Sequence, residues 1–424
     1  MEFNSAYDKN LKERLQEILL QQLEEGYEWT DKDIEDKIDA VILQCSKEMY
    51  MSGYRKLALK QELFNAIRRL DLLQELLDDK NITEIMVNGI GDIFYEKEGH
   101  ISRWDRRFES EEKLEDVIQQ IVSGANRRVN ESSPIVDARL PDGSRVNVVL
   151  KPVAVNGPIL TIRKFPEEPL TMEDLVKKGT LTEEAADFLK KLIYAGYNIF
   201  ISGGTGSGKT TMLNALMDHV PEDERVITIE DSAELQIRHI PNLVRLEARD
   251  ANDDGERAVT IRDLIRSALR MRPNRLIVGE VRGSEAIDMI QAMNTGHDGS
   301  ISTGHSNSPR DMLSRLETMV LMGAEIPLEA VRKQIASSID IIVQLDRMRD
   351  KTRKVTEIVE IAGYEDGEIR LNPLFSMGRS KAALVMEEEA AYSYDTETGA
   401  DAKEVLLPTG NVLIHRRKMD RAFA

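Results

Sequence analysis

Cysteine is nearly absent: Cys45 is the only one in 424 residues. A single thiol excludes an intrachain disulfide and any zinc site built from several cysteines, leaves no cysteine catalysis to argue for, and fits a reducing compartment. Long apolar runs are missing too, with nothing near the roughly 18 to 20 residues that cross a bilayer. The first thirty residues are charged throughout, so no secretory signal is expected. The product is expected to be soluble and cytoplasmic, and peripheral to a membrane only through a partner. A basic excess is also lacking. The 57 Lys and Arg face 75 Asp and Glu, a formal charge of −18, so direct nucleic-acid binding is not expected. No period of about 20 to 50 residues repeats, which argues against a solenoid.

What the chain does have is glycine in one place. Gly203-Gly204-Thr205-Gly206-Ser207-Gly208-Lys209-Thr210-Thr211 fits the phosphate-loop pattern G-x-x-x-x-G-K-[ST]. The β-forming run Tyr197 to Ser202 precedes it and the helix-spaced run Thr211 to Met217 comes after it, which is the strand, loop, helix context the motif needs. Glycines let the backbone approach a polyphosphate, and successive N–H groups at a helix start supply donors and a positive dipole end. Lys209 adds a cation for the β- and γ-phosphates, and the Thr210 hydroxyl is placed to ligate Mg²⁺.

At 424 residues, two or three domains are the prior. Residues 1–69 read as helices, with Leu11, Leu15, Ile18, Leu19 and Leu23 on one face, Ile34, Ile38, Val41 and Ile42 on another, and Leu59, Leu63 and Ile67 on a third. Gly26 and Gly53 interrupt them, and the segment is either a docking module or a bundle packed on its own chain. Residues 70–165 alternate strands and helices: strands at 84–89 and 92–99, a helix around 114–126, a hairpin over 134–150 and a strand at 159–165. Two prolines make 166–169 a linker. Residues 170–378 alternate again, with strands expected at 198–202, 225–230, 243–246, 275–279, 299–303 and 339–345, the pattern of a mainly parallel sheet covered by helices. Residues 379–424, with Glu387-Glu388-Glu389 and Arg416-Arg417-Lys418, carry no readable motif; a short helix and strand or partial disorder is the default, with a partner contact as the alternative.

Three further segments supply chemistry. Arg275 to Gly283 is an apolar strand that ends in Glu280, where Gly279 stands in the position many nucleotide hydrolases give to a Mg²⁺-holding Asp. Glu280 either holds the metal through water, polarises the attacking water, or pairs with Arg282. Val226 to Glu234 is a second apolar strand that ends in acids, so Glu230 is a candidate to act on water or Mg²⁺. Asp231 reads as a helix N-cap with Glu234 completing a capping box. Asn294 to Ser306 holds His297 and His305 in a loop rich in Gly, Ser and Thr; without metal-ligand spacing, these are candidate γ-phosphate sensors or subunit contacts.

These four stretches, Gly203–Thr211, Thr228–Glu234, Val278–Arg282 and Thr295–Ser306, resemble the Walker A, Asp, Walker B and His boxes of the secretion and type IV pilus ATPases, in that order. Pro134 to Arg145, Ile162 to Phe165 and Ala268 to Pro273 look most like the tight-adherence (CpaF-like) pilus motors. No four-cysteine zinc module is present, a departure from the type II secretion branch. The resemblance implies an α/β fold in which a RecA-like P-loop domain follows a small α/β, PAS-like domain and a helical segment. It also implies ATP and Mg²⁺ as cofactors, a homo-hexamer, and an inner-membrane platform protein as partner. N-domain arginines matching Arg139, Arg145 and Arg163 are implied to reach the nucleotide. Two rivals are a type IV secretion ATPase exporting DNA or protein and a nucleotide-responsive scaffold that does not hydrolyse.

Overall fold

A computed structural model describes residues 2–23, 29–165, 168–249, 258–379 and 404–424. Part of the 166–169 linker, Gly26 and the Glu387–Glu389 run lie outside the described residues. The chain divides into two units, Met1–Glu167 and Glu168–Ala424.

The first unit opens with three helices, Glu2–Gln22, Asp31–Glu48 and Gly53–Arg68. Thr30 starts the second with a capping box to Asp33, and Ser52 caps the third, which Gly53 opens. Their apolar stripes meet in one core of Leu11, Leu15, Leu19, Ile34, Ile38, Val41, Leu59 and Leu63. Ile18, Leu23 and Ile67 pack at its edge. The helices therefore form a bundle on their own chain. Lys12 reaches Asp71 at 3.0 Å, which fastens the bundle to the turn before the next helix, Leu73–Asp78.

Beyond that helix the chain forms a six-stranded antiparallel sheet. Its strands are β1 (Ile82–Asn88), β2 (Ile93–Lys97), β3 (His100–Arg103), β4 (Ile135–Arg139), β5 (Arg145–Val149) and β6 (Ile159–Arg163), in the order β3-β2-β1-β6-β5-β4. The helix Glu111–Gly124 buries Leu114, Val117, Ile118 and Ile121 against inward residues such as Ile85, Val146 and Ile162. The period-2 pattern of β5, with Val146 and Val148 buried, is that of a sheet with one covered face. Strand β3 has no apolar signal, being exposed throughout, and the sequence pattern alone merges it with the turn before it.

The second unit is a nine-stranded sheet: β7 (Ile199–Gly203), β8 (Val226–Glu230), β9 (Leu243–Glu247), β10 (Arg275–Val278), β11 (Ile301–Gly304), β12 (Ile341–Arg347), β13 (Arg353–Glu365), β14 (Glu368–Arg379) and β15 (Glu404–Pro408). The order is β15-β14-β13-β12-β7-β11-β10-β8-β9. From β12 to β9 every pairing is parallel, while β13, β14 and β15 extend the sheet antiparallel. The parallel strands β7, β8, β10 and β11 are buried along their whole length, as strands covered on both faces must be. One face carries the helices Glu183–Tyr194 and Lys209–Met217, the other Ala286–Asn294, Pro309–Gly323 and Leu328–Ser338.

The tail does form a strand and a short helix, β15 and Arg417–Ala422. It is held by Glu360, which is 1% exposed and accepts from the backbone N–H of Ile414 and of His415, at 2.8 and 2.7 Å, and from Asn372 Nδ2 at 2.8 Å. Tyr197 adds a hydroxyl bond to the His415 carbonyl at 2.7 Å. Among the described residues, no helix is long and apolar enough to cross a membrane.

Candidate functional site

The C-terminal ends of β7, β8, β10 and β11 lie side by side, and each delivers one of the sequence-predicted groups. Open α/β sheets bind ligands at that edge because loops there converge on helix N-termini. Strand β7 runs straight into the glycine loop. Gly203, Gly206 and Gly208 have φ of +159°, +71° and +97°. A Cβ on Gly203 would stand 2.3 Å from the Leu345 carbonyl oxygen and 2.5 Å from Ser207 Oγ, so only glycine fits beneath the loop. Thr205 is the exposed tip, and Lys209, Thr210 and Thr211 form the first turn of the helix after the loop.

Lys209 is 8% exposed and points back under the loop. Its Nζ donates to the carbonyls of Gly203 and Gly204, both at 3.0 Å, and to His305 Nδ1 at 3.2 Å. An ammonium only donates, so Nδ1 is the acceptor and the proton of the neutral ring lies on Nε2. Nε2 stands 2.8 Å from Glu280 Oε1, in contact although not aligned as a hydrogen bond. Glu280 Oε2 accepts from Arg282 at 2.8 Å, and Arg282 also approaches Asp231 at 3.6 Å. Lys209, His305 and Glu280 follow the sheet order β7-β11-β10, so strand adjacency alone brings together residues 96 and 25 positions apart.

Glu230 comes next, at the end of β8. It is 3% exposed; Oε2 accepts the backbone N–H of Glu234 at 2.7 Å and of Leu235 at 2.9 Å, while Oε1 has no protein partner. The Asp231 capping box does not form. No helix starts there, and the Glu230 carboxylate takes the backbone donors that a cap would use. Burial pushes the Glu230 pKa above the usual carboxylate range against the pull of those two donors. Burial also acts to raise Glu280, but the Arg282 hydrogen bond and charge, with His305 and Lys209 nearby, hold it below that range. His305 is pushed down by burial and by the Lys209 cation, which keeps the ring neutral. Two carboxylates driven in opposite directions are the pattern of a site that divides metal or charge binding from proton handling.

One candidate within the second unit does not join this group. His297 lies at the opposite end of β11 from His305, with Nδ1 3.1 Å from the Ala292 carbonyl; the length of an extended strand keeps it from the loop. Arg139, Arg145 and Arg163 belong to the first unit, where they are directly paired across β4, β5 and β6, with Glu84 of β1 next in the row. Two further groups at the loop are not legible in the sequence. Arg353 Nε donates to the Gly206 carbonyl at 3.1 Å, and Arg347 also comes against Gly206. Their only signal is five cations within residues 347–354, and nothing in the order of the chain says that this turn returns to the loop.

The loop and its neighbours suit a nucleotide with Mg²⁺. Backbone donors at a helix start face a glycine cradle, a lysine and a helical threonine flank it, and Glu230 Oε1, Ser207 Oγ and Thr228 Oγ1 are buried polar atoms that no protein group satisfies.

A family model for type II/IV secretion system proteins matches residues 68–407. The chain belongs to that family. Among its relatives is the conjugal transfer protein TrbB of Rhizobium radiobacter, 35% identical over 70% of this chain and 88% of its own length. The type IV secretion system protein VirB11 of Brucella suis is 34% identical over 68% of this chain and 88% of its own. The pilus retraction motor PilT, solved with bound ADP, shares the fold at TM-score 0.51 and 20% identity over 76% of this chain and 86% of that one. Like other members of the type II/IV secretion family, the chain has a mixed α/β fold with a RecA-like ATPase domain.

Proposed function

We propose that the protein is a Mg²⁺-dependent ATPase that works as a ring, a homo-hexamer, and drives a membrane-embedded secretion or pilus machine from its inner face. The observation that carries this reading is the continuous chain from Lys209 through His305 to Glu280 along the strand ends. It would link a cation for phosphate to a carboxylate suited to orienting water. Gly203 to Thr211 would cradle the phosphates, and Thr210 would ligate Mg²⁺, with Glu280 reaching the ion through water. ATP with Mg²⁺ supplies the phosphoryl group and the charge that neutralises it. Glu230, whose pKa is raised, holds or takes the proton. Lys209 is parked on Gly203 and Gly204 carbonyls and exchanges them for phosphate oxygens.

Arg139, Arg145 and Arg163 are assigned to the γ-phosphate. The three stand side by side across β4, β5 and β6, a grouping whose guanidinium forks suit phosphate oxygens. An arginine brought by a separate domain links charge neutralisation to domain movement, which is how hydrolysis becomes work on an inner-membrane platform protein. His297, remote from the loop, is assigned to a subunit contact.

Two machines fit this motor. The conjugal-transfer and type IV secretion relatives favour export, whereas the stretches Pro134–Arg145 and Ala268–Pro273 favour a tight-adherence pilus. The net charge of −18 disfavours direct DNA contact under either. The test is ATPase rate per chain against protein concentration with Mg²⁺. A rise toward a plateau supports sites completed across subunits, and no turnover at any concentration overturns the motor in favour of a scaffold.

A further inference from the structure

Strand β12 runs parallel to β7 with Leu345 beside Gly203, so its last residues continue past the phosphate loop. The chain then turns back and Arg347 and Arg353 become direct partners across the antiparallel pair of β12 and β13. Both converge on one loop residue. Arg353 Nε donates to the Gly206 carbonyl at 3.1 Å, and Arg347 has a terminal nitrogen 3.7 Å from where a Cβ on Gly206 would stand. The Arg353 side-chain carbons also lie 3.8 Å from the corresponding point on Gly208.

The turn between the arginines is preset. Met348 N–H bonds the Thr352 carbonyl at 2.8 Å, and Asp350 accepts from the Thr352 backbone and hydroxyl at 2.9 and 2.6 Å. Asp346 accepts from the Thr356 hydroxyl at 2.8 Å.

We propose that this turn is a second, cationic wall of the nucleotide site, in which Arg347 binds the phosphate chain directly and Arg353 is a positioning residue that holds Gly206 so that its neighbours' N–H groups face the ligand. A guanidinium fork matches phosphate geometry, and Arg347 is exposed where an incoming anion can meet it. The inference rests on the nucleotide reading of the loop and deepens it.

The test is titration of the full chain with Mg²⁺ and ATPγS, with ADP and with AMP, for the parent protein and for Arg347→Ala, Arg347→Lys, Arg353→Ala, Arg353→Lys and Lys209→Ala, with thermal unfolding as a folding control. Arg347→Ala is expected to weaken ATPγS by about tenfold or more, the size of a lost charge-assisted contact. The loss is expected to be smaller for AMP, to shrink in high salt, and to be partly restored in Arg347→Lys. Arg353→Ala is expected to weaken all phosphorylated probes, with Arg353→Lys recovering little because it lacks the planar Nε donor. If both alanine variants bind like the parent while Lys209→Ala loses ATPγS, the wall is overturned and the loop reading stands. An equal loss for all three nucleotides in Arg347→Ala, with no recovery in Arg347→Lys, reduces Arg347 to a structural part and overturns its assignment. Normal ATPγS binding by Lys209→Ala overturns the loop reading itself.

Discussion

A Cβ added to Gly279 would stand 3.0 Å from Glu230 Cγ. The two residues end neighbouring parallel strands, with Gly279 N–H bonded to the Ile229 carbonyl at 2.8 Å, so the Glu230 side chain fills the space that a side chain at 279 would need. Where other nucleotide hydrolases place an Asp, this chain leaves room for the side-chain carbons of its neighbour Glu230. Gly279→Ala is therefore expected to displace Glu230 by a few tenths of an ångström and lower kcat by roughly tenfold, with nucleotide affinity unchanged, since misplacement at a reacting centre is costly. A steady-state assay beside a binding titration checks this; unchanged kcat would show that Glu230 position does not matter.

The opposite shifts of the two carboxylates set the pH dependence. As pH rises, Glu280 ionises first, below the ordinary glutamate value of about 4.3, and Glu230 ionises later, above it. If turnover needs Glu230 ionised, the acid limb of kcat/KM lies above the ordinary carboxylate range and is lost in Glu230→Gln. His305, shifted below the usual histidine value, stays neutral through the working range, so no limb is expected near about 6.5. A limb at that value that vanished in His305→Ala would reverse the assignment.

Much of this site could be read from residue order, because local rules govern it. The glycine loop announces itself by positive-φ glycines before Lys209, and Glu230 and Glu280 by apolar strands that end in acids. What stayed hidden depends on which strand lies beside which. Residue order does not show that β11 inserts between β7 and β10, which is what sets His305 between Lys209 and Glu280 and leaves His297 at the far end. The Asp231 cap failed for a related reason: the rule recognises Asp and Glu at the right spacing, but a buried Glu230 competed for the same donors. The long hairpin of β13 and β14 carries too many polar residues to stand out as strand, and the buried positions of β13 (Val355 and Ile358 to Ile361) do not alternate in the period-2 pattern of a half-covered strand.

Glu360 ties the tail to the sheet through three donors, two of them the backbone N–H groups of Ile414 and His415. Removing the carboxylate deletes those charge-assisted bonds, at about 1.5 to 3 kcal/mol for a hydrogen bond to a charged group. Glu360→Ala is expected to lower the unfolding midpoint by several degrees and to speed proteolytic release of residues 404–424. An unchanged midpoint would mean that β15 and the Tyr197 hydroxyl hold the tail without Glu360.

The row of arginines in the first unit predicts a split in kinetic constants. Arg145→Ala and Arg163→Ala are expected to reduce kcat by about 10³-fold, the scale of a lost arginine finger, with little change in ADP affinity. Parallel losses of kcat and ADP binding would instead mark a contact made before the chemical step.

Phosphate release by Glu280→Gln, set beside its ATP binding, probes the central claim most directly. Binding is expected to equal that of the parent while turnover falls by about 10²- to 10⁴-fold, the range for loss of a general base or water-orienting group. Normal turnover in that variant would contradict the chain from Lys209 through His305 to Glu280 as the hydrolytic centre.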